Sequence, residues 1–327
     1  MEETPRAGIG RVTAAAVAVA GMLPYLTLKI LWLTGSPIGV RDPAAMTGPA
    51  VAGLNAVTFG MDAVALVLAP AFTTRRGMRL PAWLVLLPLW VGTGLLGLIV
   101  VMLPLGFFVK GPAIFDTGGL VEPWVYAMVY GGFFVQGAGL MTAFVLYARD
   151  RWPAVFTTPV GHPYTSMTRR VQQVVAWGAL LVTVLIAAAR LLGSRQPDAL
   201  GTLQEGLKGG LGVAAAVALL VLVRARGRGP FHRPLVVAWL GSGSLFGWGL
   251  YATVVTVSSA APLRGGGTDA LPGLLELFGL LAGMAMGMCG AFLLSERSGV
   301  RDVQAVQQPL EPVDGDRDRQ AAYEGHG

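Results

Sequence analysis

RVTAAAVAVAGMLPYLTLKILWLTG, Arg11–Gly35, is the stretch that decides the class of fold. After Arg11 it carries one charge, Lys29, and its apolar length matches the ~20 residues a helix needs to cross a bilayer core. Arg6 and Arg11 ahead of Ala18-Val19-Ala20-Gly21 also fit the start of a signal peptide. The apolar run continues past Lys29 to Leu33, too far for a signal peptide, so a retained helix over about 11–35 is expected. In that helix Tyr25, Lys29 and Trp32 fall at i, i+4 and i+7, on one face. Pro24 frees a backbone carbonyl one turn back. A lysine in such a segment needs a partner, a polar cavity or a route to the headgroups.

The rest of the chain belongs to the same class. Hydrophobic residues make up 54% of it and charged residues 13%, where soluble domains carry about 25% charged. Mean hydropathy is +0.62. Seven further spans are expected at about 50–73, 82–108, 121–147, 171–192, 206–223, 234–257 and 272–295, each long enough to cross the hydrocarbon. The fold class is therefore all-α, a polytopic bundle of eight transmembrane helices in the lipid bilayer.

The loops set the orientation. Arg75, Arg76 and Arg79 follow the second span; Arg149, Arg151, Arg169 and Arg170 the fourth; Arg224, Arg226, Arg228 and Arg233 the sixth; Arg297 and Arg301 the eighth. The alternate loops hold fewer basic residues, among them Arg41, Lys110, Arg190, Arg195, Lys208 and Arg264. The positive-inside rule then places both termini in the cytoplasm. The net charge of +6 is explained by topology, and no nucleic-acid surface is needed. The expected divisions are a cytoplasmic N-terminus (1–10), a first membrane unit (11–148), a cytoplasmic loop (149–170), a second unit (171–298) and a disordered tail (299–327), polar and without apolar periodicity.

The two halves echo each other. Arg79-Leu-Pro81 and Trp90-Val-Gly92-Thr-Gly94 recur as Arg228-Gly-Pro230 and Trp239-Leu-Gly241-Ser-Gly243, 149 residues on. Gly139, Ala143, Phe144, Leu146 and Arg149 recur as Gly287, Ala291, Phe292, Leu294 and Arg297, 148 residues on. Ala63–Leu66 matches Ala216–Leu219, and Arg11-Val12 matches Arg170-Val171. A tandem repeat of four helices plus four is expected, both copies oriented alike about an axis near the membrane normal, as in some transporters. Gly279, Gly283 and Gly287 make a GxxxGxxxG ridge for close packing, within the chain or at a homodimer seam.

Polar residues inside the spans supply the candidate site. Asn55, Thr58 and Asp62 share a face of the second span, with Asp62 near the midplane. An aspartate there costs ~2.5–3.5 kcal/mol unless it is paired, protonated or wet. Gln136 on the fourth span lies at its depth, and Lys29 lies level with Asn55 and Glu276. Lys29, Lys110, Lys208, Glu122, Glu205 and Glu276 gather in the outer half. One reading is a polar vestibule open to the outside and closing on Asp62, with Tyr25, Trp32, Lys29, Asn55, Thr58, Gln136 and Glu276 around it. The plainer reading is that Lys29 snorkels, the glutamates sit among headgroups and Asp62 is a neutral acid on Gln136. Aligned by Ala63 and Ala216, Asp62 corresponds to Ala215 and Asn55 to Lys208, so the site belongs to the first unit.

Other chemistry is excluded by what the sequence lacks. One cysteine, Cys289, rules out an intrachain disulfide and a thiolate metal cage. His162, His232 and His326 lie in polar segments, which excludes buried bis-histidine haem ligation. Met284, Met286, Met288 and Cys289 resemble a soft-metal set, but only Met284 and Met288 share a face, and methionine is a good gap filler. There is no P-loop, no HExxH and no intramembrane histidine beside a serine. No cofactor or metal is expected.

The Pro24–Gly35 stretch, Trp239–Leu250 and the Ala/Gly/Arg-rich composition resemble uncharacterised multi-pass membrane proteins of high-GC Gram-positive bacteria. The resemblance implies a plasma-membrane location and carries over no activity or site residue. Two functions fit: transport of a small solute or lipid, with Asp62, Asn55 and Lys29 on the path, or a non-catalytic assembly, sensor or immunity component. They differ in whether water reaches Asp62.

Overall fold

A computed structural model describes residues 8–46, 48–162, 166–193, 199–257 and 270–307. They form nine α-helices and no β-strand: α1 Ile9–Leu33, α2 Pro49–Ala71, α3 Ala82–Lys110, α4 Pro123–Arg151, a short α5 Pro153–Thr157, α6 Arg169–Gly193, α7 Ala199–Arg224, α8 His232–Val257 and α9 Ala270–Gln307. All but α5 are long and apolar enough to cross a membrane. In hydrocarbon every backbone group must bond within its own segment, which is why these runs become uninterrupted helices. Proline opens α2, α4 and α5, where its missing N–H costs nothing. Gly111, at φ 58° and ψ −148°, closes α3 in a positive-φ conformation essentially confined to glycine.

The helices form two four-helix rings. In the first, α1 packs on α2 and α4, and α3 on α4; in the second, α6 packs on α7 and α9, and α8 on both. The main joint between them is α3 against α8. Each ring has its own buried core, one around Met22, Phe72, Leu89 and Tyr147, the other around Ala176, Leu219, Leu222 and Leu293. The outward face is apolar: Val171, Val174, Trp177, Leu181 and Leu185 make an exposed stripe along α6. Such a stripe would be costly in water and is what a lipid-facing helix presents.

The seam between α1 and α4 fixes their register. Arg11 pairs with Asp150 at 2.7 Å, and Tyr25 meets Phe133 edge-on at 5.0 Å. Between them a Cβ on Gly139 would meet the backbone of Ala14 and Ala18, and one on Gly21 that of Gln136. The two helices are therefore antiparallel and in close contact over most of their length. Arg11 and Asp150 also mark one end of the bundle as the basic end. There Tyr147 donates to the Gly77 carbonyl at 2.9 Å, Arg151 donates to that of Leu80, and Glu296 accepts from Thr168 and Gln172. At the opposite end Val40 bridges Val121, and Arg41 faces Asp116 and Glu122.

Two sequence expectations change in detail, and a third, close packing of the glycine ridge, is met within the chain. The sixth span begins at Ala199, not 206, because Glu205 is charge-paired inside the bundle and does not mark a loop. The last helix runs to Gln307, so the first residues assigned to a disordered tail are helical; residues 308–327 lie outside the described residues. The Gly279–Gly287 ridge packs within the chain: Gly279 against Leu245, Gly283 against Ser242 and Phe246, and Gly287 against the Trp90 ring.

Candidate functional site

The first ring encloses a column of polar contacts that runs from the end opposite the basic loops to about mid-bundle. Its first rung is Lys29. The side chain is 4% exposed, and Nζ donates to Asn55 Oδ1 at 2.6 Å. The ammonium also stands 4.8 Å from the Tyr25 ring centroid and 5.6 Å from that of Trp32. Aromatic faces offer a buried cation partial compensation for lost water. The i, i+4, i+7 spacing on α1 creates this pocket, since it stacks Tyr25, Lys29 and Trp32 along one side. Trp32 is held in turn by Nε1–H donated to the Ile38 carbonyl at 2.9 Å.

One turn deeper, the Tyr25 and Thr58 hydroxyls face each other across α1 and α2. Thr58 also bonds back to the Leu54 carbonyl at 3.0 Å. The last rung is Asp62, 5% exposed, whose Oδ1 accepts from Gln136 Nε2 at 3.1 Å. Gln136 is the partner its depth in α4 suggests. Asn55 and Asp62 are two turns apart on α2, about 10 Å along the axis at 1.5 Å per residue. Among the described residues no ion pair joins Lys29 to Asp62; each is held by a neutral amide instead. A buried charge on one neutral partner stays under-compensated. Beyond Asp62, toward the basic end, the space between the helices is filled by Leu68, Ala69, Phe72, Leu140, Ala143 and Tyr147, all buried.

The second ring holds a different arrangement. Arg190 on α6, 7% exposed, donates to Glu205 on α7 and to Glu276 on α9, the latter at 2.8 Å. Lys208 donates to Glu205 at 3.2 Å and lies 5.3 Å from the Trp248 ring centroid. Two cations and two carboxylates compensate one another here.

The expected single vestibule is therefore replaced by separate groups. Tyr25, Lys29, Trp32, Asn55, Thr58, Asp62 and Gln136 come together in the first ring. Glu276 does not join them; it belongs to Arg190, and Glu122 belongs to Arg41 at 3.4 Å. Equal depth suggests Glu276 beside Lys29, but depth says nothing about which ring a helix belongs to. Arg190, which reads in the sequence as a loop residue, is the centre of the second cluster. The signal is present: Glu205, Lys208 and Glu276 lie at its level with opposite and balancing charges. Met284 and Met288 point outward, whereas Cys289 is buried against the Gln172 carbonyl, so they share no metal-binding pocket.

Eight apolar spans make this an integral, multi-pass membrane protein. Comparison of the chain with known protein families, with curated proteins and with solved structures gives no match.

Proposed function

We propose that the protein is a transporter of a small solute or lipid-type molecule, with the column from Lys29 to Asp62 as its path. One observation carries this reading: a buried lysine and a buried aspartate lie in one column and are held by amides, not by each other. In a purely structural pair the two charges would meet, because mutual neutralisation offsets the most desolvation. Held apart, Lys29 keeps two further N–H donors and Asp62 keeps acceptor capacity for a ligand or a proton. The positive-inside rule puts the basic end in the cytoplasm, so the Lys29 end of the column faces outward, and the resemblance noted above favours a bacterial plasma membrane. The apolar layer from Leu68 to Tyr147 closes the path on the cytoplasmic side in this conformation.

A second reading has its own support. The low exposure of Asp62 and its bond to Gln136 suit a sealed acid that holds α2 to α4 in a non-catalytic membrane component.

Infrared spectroscopy of the reconstituted protein separates the two. Under the transport reading, a carboxyl band that disappears in Asp62→Asn responds to the pH of the bulk solution, since the group exchanges protons with water. A band assigned to Asp62 that ignores bulk pH over the stable range supports the sealed structural acid and counts against transport through this column.

A further inference from the structure

Two indoles cross the seam between α3 and α8, and they do so reciprocally. Trp90 Nε1 donates to Ser242 Oγ at 3.0 Å, and Trp239 Nε1 donates to Thr93 Oγ1 at 2.9 Å. Trp90 and Trp239 are 149 residues apart, and so are Thr93 and Ser242. Exchanging the roles of α3 and α8 therefore leaves the bond pattern unchanged. The agreement extends one bond further: the Thr93 hydroxyl donates to the Leu89 carbonyl and that of Ser242 to the Ala238 carbonyl, both four residues back and both at 2.6 Å. Leu89 and Ala238 are again 149 residues apart.

Between the two bonds, Gly94 meets Gly243, its own counterpart at the same offset; a Cβ on Gly94 would overlap the Gly243 backbone. In a two-fold interface a residue touches its own equivalent only on the axis, while off-axis contacts come in pairs, i with j and j with i. The seam shows both features. Both helices start at the basic end, and both tryptophans lie about two turns from the start, so the axis runs along the helices. A chance Trp–Ser contact between packed helices would explain one bond. It would not explain the mirror bond, the matching carbonyls and the central glycine pair together.

We infer that the chain is two copies of one four-helix unit, and that the exposed face of α3 in that unit is a surface built to receive a second copy of itself through α8. The packing of each ring agrees, with four successive long helices and the first closing on the fourth. The two polar clusters, by contrast, do not follow the repeat: by the match of Arg11 with Arg170, Lys29 aligns with Ala188 and Arg190 with Leu31. In the first copy the α1 cation Lys29 reaches Asn55 on α2; in the second, the α6 cation Arg190 reaches α7, where Lys208 stands in the place aligned with Asn55. The place aligned with Asp62 is the buried Ala215. The second copy has no acid at that place and neutralises its cations internally.

The test uses the full chain in detergent, with thermal melting as the readout. Trp90→Phe and Trp239→Phe each remove one of two equivalent bonds, and each is expected to lower Tm by a similar amount, about 1–2 °C for a bond of ~1 kcal/mol in a chain of this length. The exchange variant Thr93→Ser with Ser242→Thr restores the same pattern with the partners traded and is expected to melt as the parent does. A large shift for one tryptophan and none for the other would overturn the inference. So would a collapse of the exchange variant, which changes no bond type and so reads the seam even where a tryptophan variant fails to fold.

Discussion

Arg190→Met is expected to destabilise the protein by about 3–5 kcal/mol, the range for breaking a buried ion pair from one side. The guanidinium is 7% exposed and is the shared donor to Glu205 and Glu276 on two other helices. Removing it leaves two largely buried carboxylates, of which, among the described residues, only Glu205 keeps a cation, Lys208. The size of the effect comes less from the strength of the ion pairs than from the charges left behind, since a whole buried network exchanged for neutral groups is often tolerated. The quadruple variant Arg190→Met, Glu205→Gln, Glu276→Gln, Lys208→Met removes both cations and both carboxylates and should therefore recover most of the loss. Thermal melting followed by size-exclusion chromatography measures both. Equal losses in the single and quadruple variants would mean that packing, not uncompensated charge, is what Arg190 contributes.

Gly94→Val is expected to be nearly as damaging, at about 3 kcal/mol, the upper part of the range for overpacking. A Cβ at Gly94 overlaps main-chain atoms of Gly243 and Ser244, which cannot rotate away as a side chain would. The helices must separate, and the two indole–hydroxyl bonds that depend on their spacing go with them. Gly243→Val should cost a similar amount, because its Cβ would overlap the Trp90 carbonyl, again a main-chain atom. Gly92→Val is the control, with open space where the Cβ would lie. A melting temperature for Gly94→Val equal to that of Gly92→Val would mean that the close glycine contact does not hold α3 to α8.

How much of this can be read from the sequence differs between fold and site, for a physical reason. Hydropathy reports a segment's length in hydrocarbon directly, so the eight spans and their ends are legible to within about two turns. Depth along a span is equally legible at 1.5 Å per residue, which is why Gln136 can be matched to Asp62 and Asn55 to Lys29. Depth is one coordinate of three. Which way a helix is rotated, and which ring it belongs to, depends on contacts such as Gly139 against Ala14 and Ala18 that no periodicity encodes. Depth alone puts Glu276 beside Lys29 for that reason. Arg190 reads as a loop residue because a charge near a span end looks the same whether it snorkels or is paired. The Trp90 and Trp239 motifs are visible as a repeat. Their reciprocal bonding appears only once α3 and α8 are known to be neighbours.

If the column is a transport path, water and solute reach Asp62 in this conformation from the end opposite the basic loops. The most direct test replaces Cys289 with serine, introduces Asp62→Cys, and treats intact cells and inverted vesicles with a membrane-impermeant thiol reagent. Cysteines at Thr58 and Ala65 report the neighbouring depths. Labelling is expected at positions 62 and 58 in intact cells, with weak or no labelling at 65 and none at 62 in inverted vesicles. A folded protein that resists labelling at 62 from both faces would contradict a path through this column.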